Sequence, residues 1–360
     1  MNSLTDILSL FGLETEPTVQ PFGTGLINHT FKLSCNGKEY ILQQINSNVF
    51  KSPERIAYNL SLIQAYLNQN FPEYLFIGPL PSIKNEFLVL TGDINYYRLF
   101  PFVSGSETIN FVSNPKEAFE AAKQFGKFSK VLKDFEWTSL RYTLADFHNL
   151  DLRFKQFTAS VASADPDKAL LADTEVNAAY DHSHLVKTYN NIILHKEIPL
   201  RVIHHDTKIS NVLFDSESNG LCVIDLDTVM PGYFFSDVGD MMRTYLSAAN
   251  EEETDTSKVS IREEIFMAIC EGYLSEMGDI LTTREMHYFI LAGELMIYMQ
   301  AIRFLTDFLN NDIYYGAKYP GHNLTRAKNQ FKLLEEYISH KKRFTEIIAA
   351  LTNNTIAINV

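Results

Sequence analysis

The stretch 203–211 reads Ile-His-His-Asp-Thr-Lys-Ile-Ser-Asn and sets Asp206, Lys208 and Asn211 in an Asp-x-Lys-x-x-Asn pattern. Fourteen positions past Asn211, directly after a short apolar run, stands Asp225. These residue types suit phosphoryl transfer to an alcohol. The group in transit carries negative charge that Mg²⁺ must neutralise, and the alcohol must be aimed at phosphorus. A carboxylate such as Asp206 can accept the alcohol proton. The amide oxygen of Asn211 and the carboxylate of Asp225 are hard oxygen donors of the kind Mg²⁺ takes. Lys208 would stand beside the transferring group as a point charge. Any one of these residues alone would read as a turn cap or a strand end; together they describe a site.

The elements around them fit that geometry. Apolar runs at 200–203, 212–214 and 221–224 predict short strands, with turn chemistry at 215–220 between the last two. His204 and His205 are adjacent on a strand end, so one should pack beneath the loop and the other face out. Asp237 could hydrogen-bond the loop backbone or cap the helix that follows; capping is the simpler reading.

Upstream, residues 3–12 predict a short helix stopped by Gly12, and residues 19–33 predict a strand, a glycine-containing turn and a returning strand. Such a turn can lay backbone N–H groups over phosphates, which makes Gly23, Gly25 and Asn28 candidate nucleotide contacts, against the alternative of a plain hairpin. The next strand, 39–45, carries Gln43 and Gln44 and no lysine. A helix over 53–69 and strands over 83–90 and 96–100 follow. Residues 98–105 then leave the sheet as a proline-stiffened hinge, where Phe100 or Phe102 could flank an adenine. The predicted division is 1–100 and 101–360.

Beyond 115 the chain reads as helical, with helices over 115–132, 149–164, 173–195, 261–277, 283–309, 324–340 and 342–351. His182 and His184, two apart on one of these helices, face different ways and read as solvated rather than as a metal pair. The apolar stretch 288–302 contains Glu294 and is too short to span a bilayer.

Composition narrows the partners. A 360-residue chain with 46% hydrophobic residues can bury a sizeable core, and a net charge of −13 argues against nucleic acid or an anionic membrane as main partner. The three cysteines, Cys35, Cys222 and Cys270, are too scattered for a disulfide framework or a zinc site. The first ten residues lack the pattern of a secretory signal, so a cytoplasmic protein is expected.

A catalytic loop followed by a metal-binding aspartate, behind a β-rich front and ahead of a helical back, is the plan of an α+β, bilobal protein-kinase-like fold. The loop begins His-His-Asp and the metal motif is Asp-Leu-Asp, which departs from the protein kinases. The chain resembles the aminoglycoside phosphotransferase superfamily of small-molecule kinases, and within it the N-acetylhexosamine 1-kinases. The resemblance rests on Gly25-Leu26-Ile27-Asn28-His29-Thr30, on Tyr40-Ile41-Leu42-Gln43 with Asn48-Val49-Phe50, and on His205-Asp206-Thr207-Lys208 with Asn211. It continues through 223–232, then Arg303 to Tyr314 and on to Leu324, so it spans nearly the whole chain. Gln43 in place of a strand lysine is also similar to that family.

The resemblance implies ATP as co-substrate, Mg²⁺ held by Asn211 and Asp225, and Asp206 as the base toward the anomeric hydroxyl of N-acetylglucosamine or N-acetylgalactosamine. Arg303 and Tyr314, with His29, would bind the sugar; Asp227 could serve metal or sugar. Read without the resemblance, Arg303 could equally sit in a buried ion pair and Tyr314 could be a packed aromatic. Two other functions stay open: a kinase of the same fold acting on another sugar, an amino alcohol or an aminoglycoside, and an inactive nucleotide-binding pseudokinase.

Overall fold

The computed structural model describes residues 4–13, 17–23, 28–92 and 95–352; Gly25 lies outside them. Contacts group the chain into two compact units. The first comprises residues 1–107, 134–145 and 213–231, the second 108–133, 146–212 and 232–360.

In the first unit, helix α1 (Leu4–Ser9) precedes strands β1 (Thr18–Pro21), β2 (His29–Cys35) and β3 (Lys38–Ile45). Helix α2 (Pro53–Asn70), β4 (Val89–Thr91) and β5 (Asn95–Pro101) follow. The five strands form an antiparallel sheet in the order β1-β2-β3-β5-β4. The core beneath it joins Ile7, Leu8 and Phe11 of the α1 region to Leu33, Leu42, Val89 and Leu99 of the strands. Pro53 opens α2, and its buried face carries Ile56, Leu60, Ile63 and Leu67, the helical spacing seen in the sequence. The strand expected from residue 83 begins only at Val89. Before it the Ser82 hydroxyl accepts from the Lys84 and Glu86 amides, 3.2 Å each, and Asn85 is left-handed (φ 63°). Local serine–backbone bonding has won over β-propensity there.

The second unit is helical around one short strand. Helices α3 (Pro115–Val131), α4 (Leu150–Ser163), α5 (Pro166–Leu171), α6 (Asp173–Asp181) and α7 (His184–Leu194) precede strand β6 (Arg201–Ile203). After the catalytic segment come α8 (Phe234–Tyr245), α9 (Glu263–Met277), α10 (Thr283–His287), α11 (Phe289–Leu309), α12 (His322–Ser339) and α13 (Lys341–Thr352). The helix expected over 173–195 is broken at His182 and Ser183. His182 is half-buried there, its ring 6.4 Å from Tyr298, so it is less solvated than its sequence context implied.

Helix α11 is the axle of this unit. It runs 21 residues, long and apolar enough by composition to cross a bilayer, which corrects the shorter expectation. Most of it is instead buried inside the protein, so it is accounted for as a core helix. Helix α8 lies close against it at Gly239, where an added Cβ would come within 2.2 Å of the Ala292 carbonyl oxygen. Glycine is required there by the approach of two backbones, and α8 is the helix that braces the loop 204–211.

Candidate active site

In the second unit, β6 delivers the chain into the loop 204–211. The backbone turns left-handed at His205 (φ 67°), which breaks strand alternation and takes both histidines inside. His204 packs edge-on against Phe125, 5.2 Å between ring centroids, and His205 lies 5.5 Å from His148. The expectation that one of them faces out is therefore corrected.

Asp237 holds this turn. Its carboxylate accepts from the amides of His204 (2.9 Å) and His205 (2.7 Å), so it braces the loop; the N-cap position of α8 is Tyr233. Burial, outweighing those two bonds and reinforced by the nearby Asp240 and Asp206 charges, pushes its carboxyl up to about 7. One turn along α8, Asp240 accepts from the Thr207 amide at 3.0 Å, and the Thr207 hydroxyl donates to the Asp237 carbonyl at 2.8 Å.

The loop brings its three predicted residues together. Lys208 Nζ is 3.1 Å from Asp206 Oδ1, and the Asn211 amide donates to both the Asp206 carbonyl (2.9 Å) and Asp206 Oδ2 (3.1 Å). Burial works to raise the Asp206 carboxyl, but the Lys208 charge and His204 outweigh it, and the net shift is downward. Asp206 is therefore ionised at neutral pH and able to take a proton. The Asp206 charge in turn raises the Lys208 ammonium, which stays protonated. Because the Asn211 nitrogen is committed to Asp206, its Oδ1 is the oxygen left for a cation.

In the first unit, the segment 213–231 carries the second set. Strands β7 (Val212–Phe214) and β8 (Gly220–Val223) form a hairpin whose turn is organised by Asp215 Oδ1, accepting from the Glu217 and Asn219 amides at 2.9 Å each. Asp225 follows in the left-handed region (φ 57°, ψ 58°) and is exposed. A left-handed non-glycine residue is costly by about 1–3 kcal/mol and gathers at functional positions.

Two residues on, Asp227 is buried. Its Oδ1 lies 2.5 Å from Arg98 Nη1, and Asn28 Nδ2 donates to its Oδ2 at 2.9 Å. Arg98 also donates from Nε (3.1 Å) and Nη2 (2.9 Å) to Gln43 Oε1, its cross-strand partner. Asn28, a candidate nucleotide contact, thus has its side chain engaged by Asp227 and by the Asn46 amide (3.0 Å). Gly23 adopts φ 77°. Phe22 meets Phe102 edge-on at 5.8 Å, Lys32 stands 3.7 Å over the Phe102 ring, and Arg98 lies 5.0 Å over Phe100. His29 opens β2 and is exposed.

Arg303 lies in the second unit, half-buried on α11, with aromatic walls: Phe147 at 5.4 Å, Tyr315 at 5.5 Å and Tyr314 at 5.9 Å from its guanidinium carbon. It donates to Gln300 at 3.1 Å and has no carboxylate partner among the described residues. Burial and the neighbouring His205 and Arg303 keep His148 well below the usual histidine range, hence neutral. Tyr314 is exposed, while Tyr315 is engaged by Gln300 at 3.1 Å. Sequence reasoning missed Phe147, His148, Gln300, Tyr315 and Arg98. Only Arg98, a lone cation inside the aromatic strand run 96–100, carried a visible signal.

Asn211 in the second unit and Asp225 in the first each offer an oxygen donor of the kind Mg²⁺ takes. Among the described residues no group of three or more His, Cys, Asp or Glu is placed as a self-sufficient metal cage.

The model of the phosphotransferase enzyme family, APH, matches residues 18–260. An aminoglycoside phosphotransferase from Alicyclobacillus acidocaldarius is 14% identical at a TM-score of 0.62, over 96% of this chain and 94% of that one. A spectinomycin phosphotransferase solved with ADP and spectinomycin is 16% identical at 0.57, over 94% of this chain and 98% of its own. A Plasmodium vivax ethanolamine kinase is 13% identical at 0.57, over 90% and 84%. The α+β, protein-kinase-like fold is common to them and to this chain.

Proposed function

Because the chain belongs to the phosphotransferase enzyme family, we propose that it transfers the γ-phosphoryl group of ATP to the anomeric hydroxyl of an N-acetylhexosamine, giving the sugar 1-phosphate. The observation that carries the acceptor choice is Arg303, ringed by Phe147, Tyr314 and Tyr315 and paired with no carboxylate among the described residues. A guanidinium offers fixed donors to hydroxyl and acyl oxygens, and aromatic faces suit the apolar side of a sugar ring. An ammonium acceptor would be repelled by it. The solved relatives named for aminoglycosides and ethanolamine would on this reading differ from this chain at the acceptor.

Asp206 takes the hydroxyl proton as the sugar oxygen bonds to phosphorus and the bond from phosphorus to the β-phosphate bridging oxygen breaks, leaving ADP. Asn211 and Asp225 are the proposed Mg²⁺ ligands; the ion supplies charge neutralisation on the phosphates. Lys208 keeps Asp206 ionised and adds positive charge beside the transferring group. His29 and Asp227 belong to the same proposal as acceptor-side residues, and Asn28, which Asp227 accepts from, belongs with the nucleotide contacts. Gly23, Gly25, Phe100 and Phe102 are the proposed nucleotide contacts. A cytoplasmic location, where ATP is abundant, goes with this reading.

A coupled ATP-turnover assay with Mg²⁺ over N-acetylglucosamine, N-acetylgalactosamine, glucose, galactose, choline and kanamycin tests it, each hit being repeated with its 1-O-methyl glycoside. Turnover of the N-acetylhexosamines that disappears when C-1 is blocked is the expected result. Turnover of choline or kanamycin alone would overturn the acceptor.

A further inference from the structure

The second unit contains a chain of charged contacts that the catalytic roles above leave unused. At one end Asp307, near the end of α11, accepts from the amides of Tyr314 (2.7 Å) and Tyr315 (2.9 Å), fixing the turn that carries both aromatics. Asn323 donates to Asp307 (3.1 Å), to Asp312 (2.8 Å) and to the Gly316 carbonyl (2.9 Å). Arg326 donates to Asn323 at 3.1 Å, lies 3.7 Å over the Phe304 ring and 5.2 Å over Tyr315, and reaches Glu251 with its other nitrogen. Glu251 Oε2 receives Arg243 at 3.0 Å. Arg243 is buried and donates to Asp240 at 2.9 Å, and Asp240 holds the Thr207 amide beside Asp206.

Every link is a short charged or amide contact, and among the described residues the only carboxylate bridging Arg326 and Arg243 is Glu251. Building on the roles proposed for Asp206, Arg303 and Tyr314, we infer that Glu251 is a positioning residue that couples the acceptor-side turn 312–316 to the catalytic loop. The device has a physical logic. Two guanidiniums that face one carboxylate repel each other once it is neutralised, so the charge on Glu251 holds Arg243 and Arg326 side by side, while Asp240 pins Arg243 from the other end. Arg243 then fixes Asp240, and Asp240 fixes the amide next to the base. Burial would raise the Glu251 carboxyl, but the two arginines outweigh it and hold it down to about 2, so the bridge is intact at any physiological pH. Order imposed on Tyr314 and Tyr315 by an acceptor would reach Thr207 through contacts that are each bistable: made or broken.

The test is amide hydrogen exchange on the full-length protein, comparing wild type with Glu251→Gln and Arg326→Met, and with Glu335→Gln as a surface control. Both bridge variants should exchange the amides of 204–211 about threefold or more faster, although Arg326 touches no residue of that loop. The acceptor-dependent kcat should fall about tenfold, with the KM for ATP within about twofold. Glu251→Asp, which keeps the charge, should recover part of both. Loop exchange equal to wild type in Arg326→Met overturns the coupling, and so does an acceleration spread evenly across the unit, which is the mark of general loosening. If wild type phosphorylates no sugar in the panel, the proposed acceptor falls while the exchange measurement still decides the coupling.

Discussion

Arg98 and Asp227 form an ion pair from which solvent is excluded, each side chain 3% exposed and their nearest atoms 2.5 Å apart. The pair has a bearing on Gln43, the residue that stands in place of a strand lysine. Gln43 occupies the strand where a kinase is expected to carry lysine, and directly across from it in the sheet stands Arg98. A lysine at 43 would set two cations opposite each other, whereas a glutamine oxygen accepts from the guanidinium instead. Arg98 thereby anchors the turn that follows Asp225.

Removing one partner of such a pair leaves a buried charge without compensation, which costs about 3–5 kcal/mol. Arg98→Met should therefore lower the unfolding free energy extracted from urea titration by that amount, and Arg98→Met with Asp227→Leu should lose less than the single change. A double variant no more stable than Arg98→Met would show that the pair is not the source of the effect.

Asp206→Asn removes the proton acceptor while keeping its shape. Loss of a general base lowers rates by about 10²–10⁴, and kcat for ATP turnover with the best acceptor should drop within that range while thermal unfolding stays close to wild type. Equal rates would remove Asp206 from catalysis.

The stability of the catalytic loop should depend on pH through Asp237. Its carboxyl is raised to about 7 in the folded protein, against about 3.9 in an unfolded chain. Between those values the folded state holds a proton that the unfolded state has lost. Stability from this group is then greatest at the acid end, falls as pH rises through the window and is level above it. Urea midpoints measured from pH 4.5 to 8 should decline less with rising pH in Asp237→Asn than in wild type. Parallel profiles would refute the raised carboxyl.

Arg303→Met keeps most of the side chain's length and removes its donors. A hydrogen bond to a charged group is worth about 1.5–3 kcal/mol, so the acceptor KM should rise roughly ten- to a hundredfold with little change in the KM for ATP. A change confined to the ATP KM would place Arg303 on the nucleotide side.

The sequence was most readable where the chemistry is local. Asp206, Lys208 and Asn211 fall within six residues of chain, and their mutual contacts follow from one turn. The hairpin before Asp225 was equally plain, because Asp215 closes it with its own neighbours' amides. What could not be read depends on distant partners or on backbone sign. Asp237 looked like a cap because the donors it accepts from, the His204 and His205 amides, lie more than thirty residues upstream. The orientation of His205 was misjudged because a period of two assumes extended backbone, and that residue is left-handed. Arg98 and the aromatic surround of Arg303 are assembled across strands and helices far apart in sequence, where spacing carries no information.

The left-handed backbone at Asp225 has an evolutionary side. Glycine occupies φ 57°, ψ 58° without the steric penalty an aspartate bears. A mutation to glycine there would leave the fold intact or firmer while discarding a proposed metal ligand. Drift on thermodynamic grounds alone would erase that aspartate, so its persistence in any descendant of this chain would be a record of continued selection for phosphoryl transfer rather than for folding.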